Sequence, residues 1–288
     1  MATGRADTDK IDKNKVKRNF SNAANYDNFT SYHNLTLEMT FVTIKNYFDN
    51  YDKNKTDAPI IPKNILDIGC GTGQGYLILK KIMSNYNFNY FGLDFAFEAL
   101  SRAKRKLLIP DNANNVSLIC ADAESLPLTH KKFDIIFSNM TLHWLNNIGY
   151  FLNSTKSILK DGGIIILSFL IDGTLKELLA CFTHALSKEE DSRLHSFFNL
   201  AHIKNKISES GLKIIDSKVF EYIETADSSQ KLLKKINMLG AKNAVNSAQI
   251  SHSLLKQVLN EYDKCYRNFN DKVYATYKIA YLTLKKNS

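Results

Sequence analysis

The chain has 288 residues, of which 44% are hydrophobic and 23% are charged. This composition supplies a core for one large globular domain and excludes a chain that is disordered throughout. The net charge is +9, and because a basic surface suits nucleic acid, anionic membranes and acidic proteins alike, charge alone selects no partner.

The first 60 residues precede any predicted strand. Residues 1–12 are polar and lack the apolar core of a signal peptide, so we predict a disordered tail there. Residues 13–60 are predicted to form a helical cap segment, since residues 11–50 combine a helical pattern with many aromatic side chains. We expect this segment to stay out of a sheet core that starts near residue 64 and to fold over the sheet's ligand edge.

Residues 61–288 are predicted to form an α/β domain. Apolar strands are predicted at 64–68, 90–94, 116–120, 133–139 and 164–170, and helices at 75–86, 97–108 and 150–159. The stretch 160–163 (KDGG) is predicted to close the last of these helices with a cap and a turn. Strands that are apolar on both faces and alternate with helices indicate a parallel sheet covered on both sides.

The C-terminal third of the chain changes its pattern. Two longer strands, at 212–223 and 274–284, alternate partially and are predicted to complete the sheet. A helical insert at about 225–272 separates them, with helices at 228–238 and 248–266.

The glycine-rich segment 69–75 follows the first predicted strand, at a place where ligands bind in open parallel sheets. Its spacing departs from the dinucleotide fingerprint G-x-G-x-x-G, because the third glycine position holds Gln74 counted from Gly69, or Tyr76 counted from Gly71. No Gly-Lys-Ser/Thr follows, which excludes a P-loop.

Three acidic residues stand at three consecutive strand ends. Asp67, just before the first glycine, suits a cationic ligand end but would repel a pyrophosphate. Asp94 is placed to bond a ribose diol, and Asp122 to accept an adenine amino hydrogen. Together they predict a nucleoside site without phosphate neutralisation, which fits S-adenosylmethionine better than NAD.

The segments ILDIGCGTG, LD, ADAESLP, FDIIFSNMTLHW and LKDGGIIILS resemble the class I S-adenosylmethionine-dependent methyltransferases over roughly residues 62–170. The resemblance implies a Rossmann-like, doubly wound, seven-stranded sheet that is mostly parallel with the last strand antiparallel. It also implies that the cofactor is contacted by Asp67, Gly69, Gly71, Asp94, Asp122 and Asn139. We add Phe95 and Ala123, which directly follow two of these acids in the sequence.

A finer resemblance covers about residues 13 to 285. The segments 20–26 (FSNAANY), 138–144 (SNMTLHW), 172–178 (DGTLKEL), 239–241 (LGA) and 274–277 (YATY) are similar to the malonyl-acyl-carrier-protein O-methyltransferases of biotin synthesis. This implies methyl transfer from S-adenosylmethionine to the free carboxyl of malonyl-acyl-carrier protein, an acidic partner. The product would be the malonyl methyl ester that starts pimeloyl and biotin synthesis.

Three other functions stay open at this point. The arginine hydroxylases that assist respiratory complex I assembly share LHW, Thr-Leu-x-Glu-Leu and the final Ala-Thr-Tyr with this chain. A methyltransferase for a small quinone or lipid precursor, or a module that binds the cofactor without turnover, would also carry the glycine segment.

The sequence offers no acid–base dyad and no metal-ligand spacing, so we predict no catalytic residue, no metal and a proximity mechanism. A malonyl carboxylate, with a pKa near ~4, is ionised at neutral pH and needs no general base. The predicted acceptor-site residues are Tyr26, His143 and Trp144, each of which also fits a packing role.

Basic side chains are the remaining candidates for partner contacts. The run at 102–106 (RAKRK) would either dock an acidic carrier or form a solvated face, and Lys234, Lys235 and Lys242 are expected near the acceptor entrance. The four cysteines form no CxxC pair, which favours a reducing, cytoplasmic setting. We expect no nucleic-acid partner, no membrane partner and a monomer.

Overall fold

The computed structural model describes residues 10–21, 31–52, 63–107, 115–128, 132–186, 196–238 and 251–286. The strands are β1 Lys63–Ile68, β2 Phe88–Asp94, β3 Val116–Cys120, β4 Phe133–Asn139, β5 Leu159–Leu170, β6 Leu212–Ala226 and β7 Val273–Lys286. The helices are α1 Lys13–Ser21, α2 Ser31–Asp52, α3 Gln74–Ile82, α4 Phe97–Leu107, α5 Ile148–Ile158, α6 Lys176–Leu186, α7 Leu200–Glu209, α8 Ser229–Met238 and α9 His252–Cys265.

The strands form one seven-stranded sheet in the order β3-β2-β1-β4-β5-β7-β6. The pairs β1–β2, β2–β3, β1–β4 and β4–β5 are parallel. β7 is antiparallel to β5. The amide of Ile171, just after β5, donates to the carbonyl of Lys278, whereas the carbonyl of Leu159, at the start of β5, accepts from Nζ of Lys286 farther along β7. The predicted sheet, mostly parallel with an antiparallel last strand, is confirmed.

Burial explains the parallel strands. β4 is buried from Phe133 to Ser138, and in β5 the apolar run from Ile164 onward is buried too. Because both faces of these strands are buried, their side chains are apolar on both faces, as in a sheet that is covered on both sides. This is why the predicted bounds of β4 agree with the structure to the residue; those of β3 agree as well, although only Val116 of that strand is buried.

The stretch 160–163 is a correction to the sequence prediction. α5 ends at Ile158 and Leu159 is already extended, so these residues do not cap the helix. They lie inside β5, where the register slips between the pairs Phe133–Leu159 and Ile135–Ile164. Gly162 has a φ of +77°, which fits an irregularity in the strand. The glycines thus mark a bulge rather than a turn.

Two helices were not predicted from the sequence. α6 buries Leu178, Cys181 and Phe182, which have the i, i+3, i+4 spacing of one helix face. α7 follows it before β6. The signal for α6 was present in the sequence but lay between the predicted strands 164–170 and 212–223, where no element was predicted.

α2 belongs to the core, contrary to the expectation that residues 11–50 stay out of it. Phe41, Ile44 and Phe48 are buried, and Phe41 meets Phe137 of β4 edge to face with ring centroids 5.7 Å apart. Thr43 Oγ1 lies 2.8 Å from the hydroxyl of Tyr281. An aromatic helix that precedes the first strand therefore covers a face of the sheet.

The chain divides into two compact units. Among the described residues, one unit holds those of 30–169, 204–218 and 281–286, and it contains the parallel part of the sheet with α2 to α5. The other holds those of 10–29, 170–203 and 219–280, where α6 packs on α9 and α8 contacts α9. Over the parts of the chain that the structure describes, no helix is both long and apolar enough to cross a membrane.

Candidate functional site

The order of the strands places a crevice between β1 and β4. β1 pairs with β2 on one side and β4 on the other, and the chain leaves β1 toward β2 but leaves β4 toward β5. At such a switch point the loops beyond the carboxyl ends of the strands diverge and leave room for a ligand. The glycine segment after β1 lies at this point.

The glycines of this loop have different surroundings. Gly69, Gly71 and Gly73 have φ values of +82°, +54° and +80°, a region that favours glycine. A Cβ added at Gly69 would overlap Oγ1 of Thr141, in the loop after β4. A Cβ at Gly71 would meet nothing within 4 Å. Gly69 thus allows two loops to touch, whereas Gly71 faces open space.

Four backbone amides of the glycine loop donate hydrogen bonds to groups within the protein. Those of Gly69 and Cys70 donate to the carbonyl of Leu93, Gly71 donates to Asp94 Oδ2, and Gly73 donates to the carbonyl of Cys70. A pyrophosphate needs free amides at this position. Because these four are occupied and a carboxylate stands beside them, the loop does not fit a dinucleotide phosphate.

Asp94 ends β2 and holds the glycine loop. Its Oδ2 accepts from Gly71 N at 2.9 Å and its Oδ1 accepts from Ala96 N at 2.8 Å. Burial raises the pKa of this carboxyl, while amides of Ala96, Gly71 and Phe95 oppose the rise. A carboxylate accepts about four hydrogen bonds, so each oxygen keeps capacity for a ligand hydroxyl. Asp94 and the adjacent Phe95 are both half-buried.

Asp67 lies deeper, in β1 itself. Asp67 is only 3% exposed, and its Oδ2 accepts a 2.6 Å hydrogen bond from the hydroxyl of Tyr90. Burial raises the pKa of Asp67 to about 7, the Tyr90 hydrogen bond opposes this, and Asp94 adds to it. None of the ion pairs among the described residues involves Asp67. A cationic ligand group would supply the missing charge.

The loop after β3 stands beside that of β2. The amide of Ala121 donates to the carbonyl of Asp94 at 3.0 Å, which brings Asp122 next to the end of β2. Asp122 Oδ1 accepts from Glu124 N at 2.9 Å, and Ala123 between them is buried. Three carboxylates therefore stand at or near the carboxyl ends of three adjacent strands, an arrangement that fits a nucleoside with a cationic group.

Asn139 ends β4 and is tied to α2. Its Nδ2 donates to the carbonyl of His33 at 3.2 Å, and its Oδ1 accepts from Ser168 Oγ. Burial lowers the pKa of His33 to about 3, so the imidazole is neutral at physiological pH. His33 was missed from the sequence because it is 106 residues from Asn139 and no local pattern relates them.

His143 and Trp144 lie in a short 3-10 turn, Leu142–Trp144, after β4. They are 3% and 9% exposed, and their rings are 5.2 Å apart. Their predicted role at the acceptor stays a prediction. Tyr26, Lys242 and the segment 239–241 lie outside the described residues. Within the described ranges, no three His, Cys, Asp or Glu side chains are grouped as a metal site would require.

Two of the sequence segments that carry the finer resemblance bond each other. Glu177 of the first is 2% exposed and accepts from both the amide (3.0 Å) and the hydroxyl of Thr276 in the second. The amide of Leu175 donates to the carbonyl of Thr276 at 2.7 Å. These residues hold α6 to β7 within one unit, which gives the segments 172–178 and 274–277 a structural role.

Comparisons with known proteins agree with this geometry. Residues 66–167 match a family described as a methyltransferase domain. The chain is 29% identical to malonyl-[acyl-carrier protein] O-methyltransferase 2 of Ilyobacter polytropus, over 96% of this chain and 99% of that protein. It is 26% identical to malonyl-[acyl-carrier protein] O-methyltransferase of Priestia megaterium, with the same coverage.

Among solved structures, the YcgJ protein of Bacillus subtilis shares the fold with a TM-score of 0.58 at 16% identity, covering 88% of this chain and all of that protein.

Proposed function

We propose that this chain, an S-adenosylmethionine-dependent methyltransferase, methylates the free carboxyl of malonyl-acyl-carrier protein. The product is the malonyl methyl ester that starts pimeloyl and biotin synthesis. The observation that carries this proposal is the similarity to enzymes of that name, at 24–29% identity, which for six of these seven relatives covers 96% of the chain.

We assign the cofactor to the carboxyl edge of β1, β2, β3 and β4. When bound, S-adenosylmethionine supplies an electrophilic methyl group on a cationic sulfur. Asp67 faces the cationic end, Asp94 binds the ribose diol and Asp122 binds the adenine amino group. The remaining contacts come from the backbone and flanking side chains at Gly69, Gly71, Phe95, Ala123 and Asn139.

The acceptor fits what the chain offers chemically. A carboxylate with a pKa near ~4 is already a nucleophile at neutral pH. The protein therefore has only to place it in line with the methyl group and to exclude water. His33 is neutral, with a pKa of about 3, and supplies no positive charge to the acceptor. Tyr26, His143 and Trp144 remain our candidates for the acceptor site.

The basic end of α4 is the surface that we assign to the carrier. Lys104 and Arg105 are exposed, and among the described residues no acidic side chain forms an ion pair with either. α4 begins at Phe97, three residues after Asp94, and Lys104 lies about 10 Å farther along the helix axis. Charge complementarity with an acidic carrier supports docking on this end of the helix. Lys235 fits this role less well, because it pairs with Glu224.

Mass spectrometry of malonyl-carrier protein incubated with enzyme and S-adenosylmethionine tests the function. We expect the mass of one methylene to be added, and none to be added to acetyl-carrier protein, which lacks the free carboxyl. An unmodified malonyl carrier, with the cofactor shown to bind, would reject the proposal. Oxygen added to a protein arginine, or a methylated quinone precursor, would identify the alternative functions.

The same assay examines the carrier surface when malonyl-CoA replaces the carrier. Lys104→Glu with Arg105→Glu is expected to raise KM for the carrier about ten-fold at low salt, because two favourable charges become unfavourable. KM for malonyl-CoA should hardly change. The matched control is Lys80→Glu with Lys81→Glu on α3, which should have a smaller effect.

A further inference from the structure

The neighbourhood of Asp67 contains a residue that no sequence pattern singled out. Tyr90 in β2 is fully buried, and its hydroxyl donates to Asp67 Oδ2 at 2.6 Å. Among the described residues, apolar side chains and the acid Asp94 also lie near this carboxylate.

The register of β1 and β2 explains the contact. Ile65 pairs with Tyr90, and Asp67 pairs with Gly92. Residues two apart in a strand share a face, so Asp67, Gly92 and Tyr90 point to the same side of the sheet. A Cβ at Gly92 would lie 3.1 Å from Cε1 of Tyr90. The missing side chain at Gly92 gives the phenol ring room to lie along the sheet and reach Asp67.

The other side of the carboxylate is closed by α3. A Cβ at Gly75 would lie 2.9 Å from Asp67 Oδ2, 3.7 Å from Leu37 of α2 and 3.8 Å from Phe137 of β4. α2 and β4 thus contribute apolar atoms here. The small residue in the first turn of α3 lets the helix approach the carboxylate closely.

The titratable neighbours of Asp67 do not neutralise it. In addition to burial, Asp94 on β2 raises the pKa of Asp67, burial raises the pKa of the Cys70 thiol in the glycine loop, and α3 contributes Tyr76, whose ring is 4.9 Å from that of Tyr90. Burial raises the pKa of Asp67 to about 7. A phenol is therefore the group that favours the ionised form within the described chain.

We propose that Tyr90 is a positioning residue that aims the Asp67 carboxylate, and that the cofactor's cationic end binds together with the loss of a proton from Asp67. The proton passes to solvent, and Tyr90 continues to donate to the resulting carboxylate. The inference rests on the cofactor placement given under the proposed function. It does not depend on which acceptor is methylated.

Calorimetric titration with S-adenosylmethionine between about pH 5.5 and 7.5 tests this. Over that range the cofactor's amine, with a pKa of ~7.7–8.0 for an α-amino group, stays largely protonated. A group with a free-state pKa of about 7 that must ionise on binding makes Kd rise about five-fold from pH 7 to pH 6. Titrations at pH 7 in two buffers of different ionisation enthalpy should show about half a proton released per cofactor.

Two variants distinguish positioning from a general structural role. Tyr90→Phe removes the hydrogen bond that lowers the Asp67 pKa, so the pH midpoint of binding should move upward, with the binding deficit larger at pH 7 than at pH 7.5. Asp67→Asn should bind weakly with no pH dependence and no proton release. Tyr76→Phe, which removes a neighbouring hydroxyl, is the matched control and should keep the wild-type profile.

A wild-type Kd that is flat across this pH range would overturn the inference, as would a Tyr90→Phe variant weakened equally at every pH. If Tyr90→Phe does not fold, wild-type proton release and the Asp67→Asn profile still decide. Cofactor binding is measured without acceptor, so failure here is separate from failure of malonyl methylation.

Discussion

Two buried acids in separate units of the chain show how surroundings assign a role. Glu177 is enclosed by the protein, and Thr276 supplies hydrogen bonds to both of its oxygens. Asp67 is equally buried, yet it has one phenol donor and no described ion pair. An acid whose two oxygens both accept hydrogen bonds from its own chain stabilises the fold. An acid left short of positive charge suits a ligand that brings one.

The largest expected effect is a loss of stability when the structural acid, Glu177, is removed. Glu177→Ala leaves the amide and hydroxyl of Thr276 without their acceptor, so we expect the free energy of unfolding to fall by about 3 kcal/mol. Denaturant melts measure it. Lys176→Ala is the matched control on the same helix, because its exposed pair with Glu221 should contribute less than about 0.5 kcal/mol. Similar losses in both variants would contradict a structural role for Glu177.

The next largest effect compares the stability losses at two glycines of the glycine loop. Gly69→Ala places a Cβ onto Thr141 at a φ of +82°, and we expect a loss of about 2 kcal/mol in unfolding free energy. Gly71→Ala has a positive φ as well but open space around it, and should cost about 1 kcal/mol. The two melts separate the overlap from the backbone conformation. Equal losses would show that the contact with Thr141 is unimportant.

The smallest effect on stability concerns Asp94. Asp94→Asn replaces one of two accepting oxygens by a donor that faces an amide of Gly71 or Ala96, so stability should fall by about 1 kcal/mol. Because the loop and the proposed ribose contact are both affected, Kd for S-adenosylmethionine should rise about ten-fold, which calorimetry measures. In Glu177→Ala the Kd of the folded protein should be unchanged. A Kd that responds to Glu177 as strongly as to Asp94 would remove the distinction between the two acids.

Local pattern was sufficient where one strand or loop decides the outcome. The bounds of β4 follow from its apolar run, and the place of the glycine loop follows from the glycines that come directly after the first strand. The stretch 160–163 was misplaced because glycines serve caps and bulges alike, and only the pairing of β4 with β5 selects between them.

The sequence by itself determined the alternation of strands and helices, the glycine loop and the three acids at successive strand ends, because each depends on residues close together in the chain. Tertiary structure decided which side chains and amides donate hydrogen bonds to each acid. Tyr90 reaches Asp67 through strand register and the gap at Gly92, His33 meets Asn139 across 106 residues, and Glu177 meets Thr276 across 99. Such contacts depend on the packing of distant segments, which periodicity and spacing do not encode.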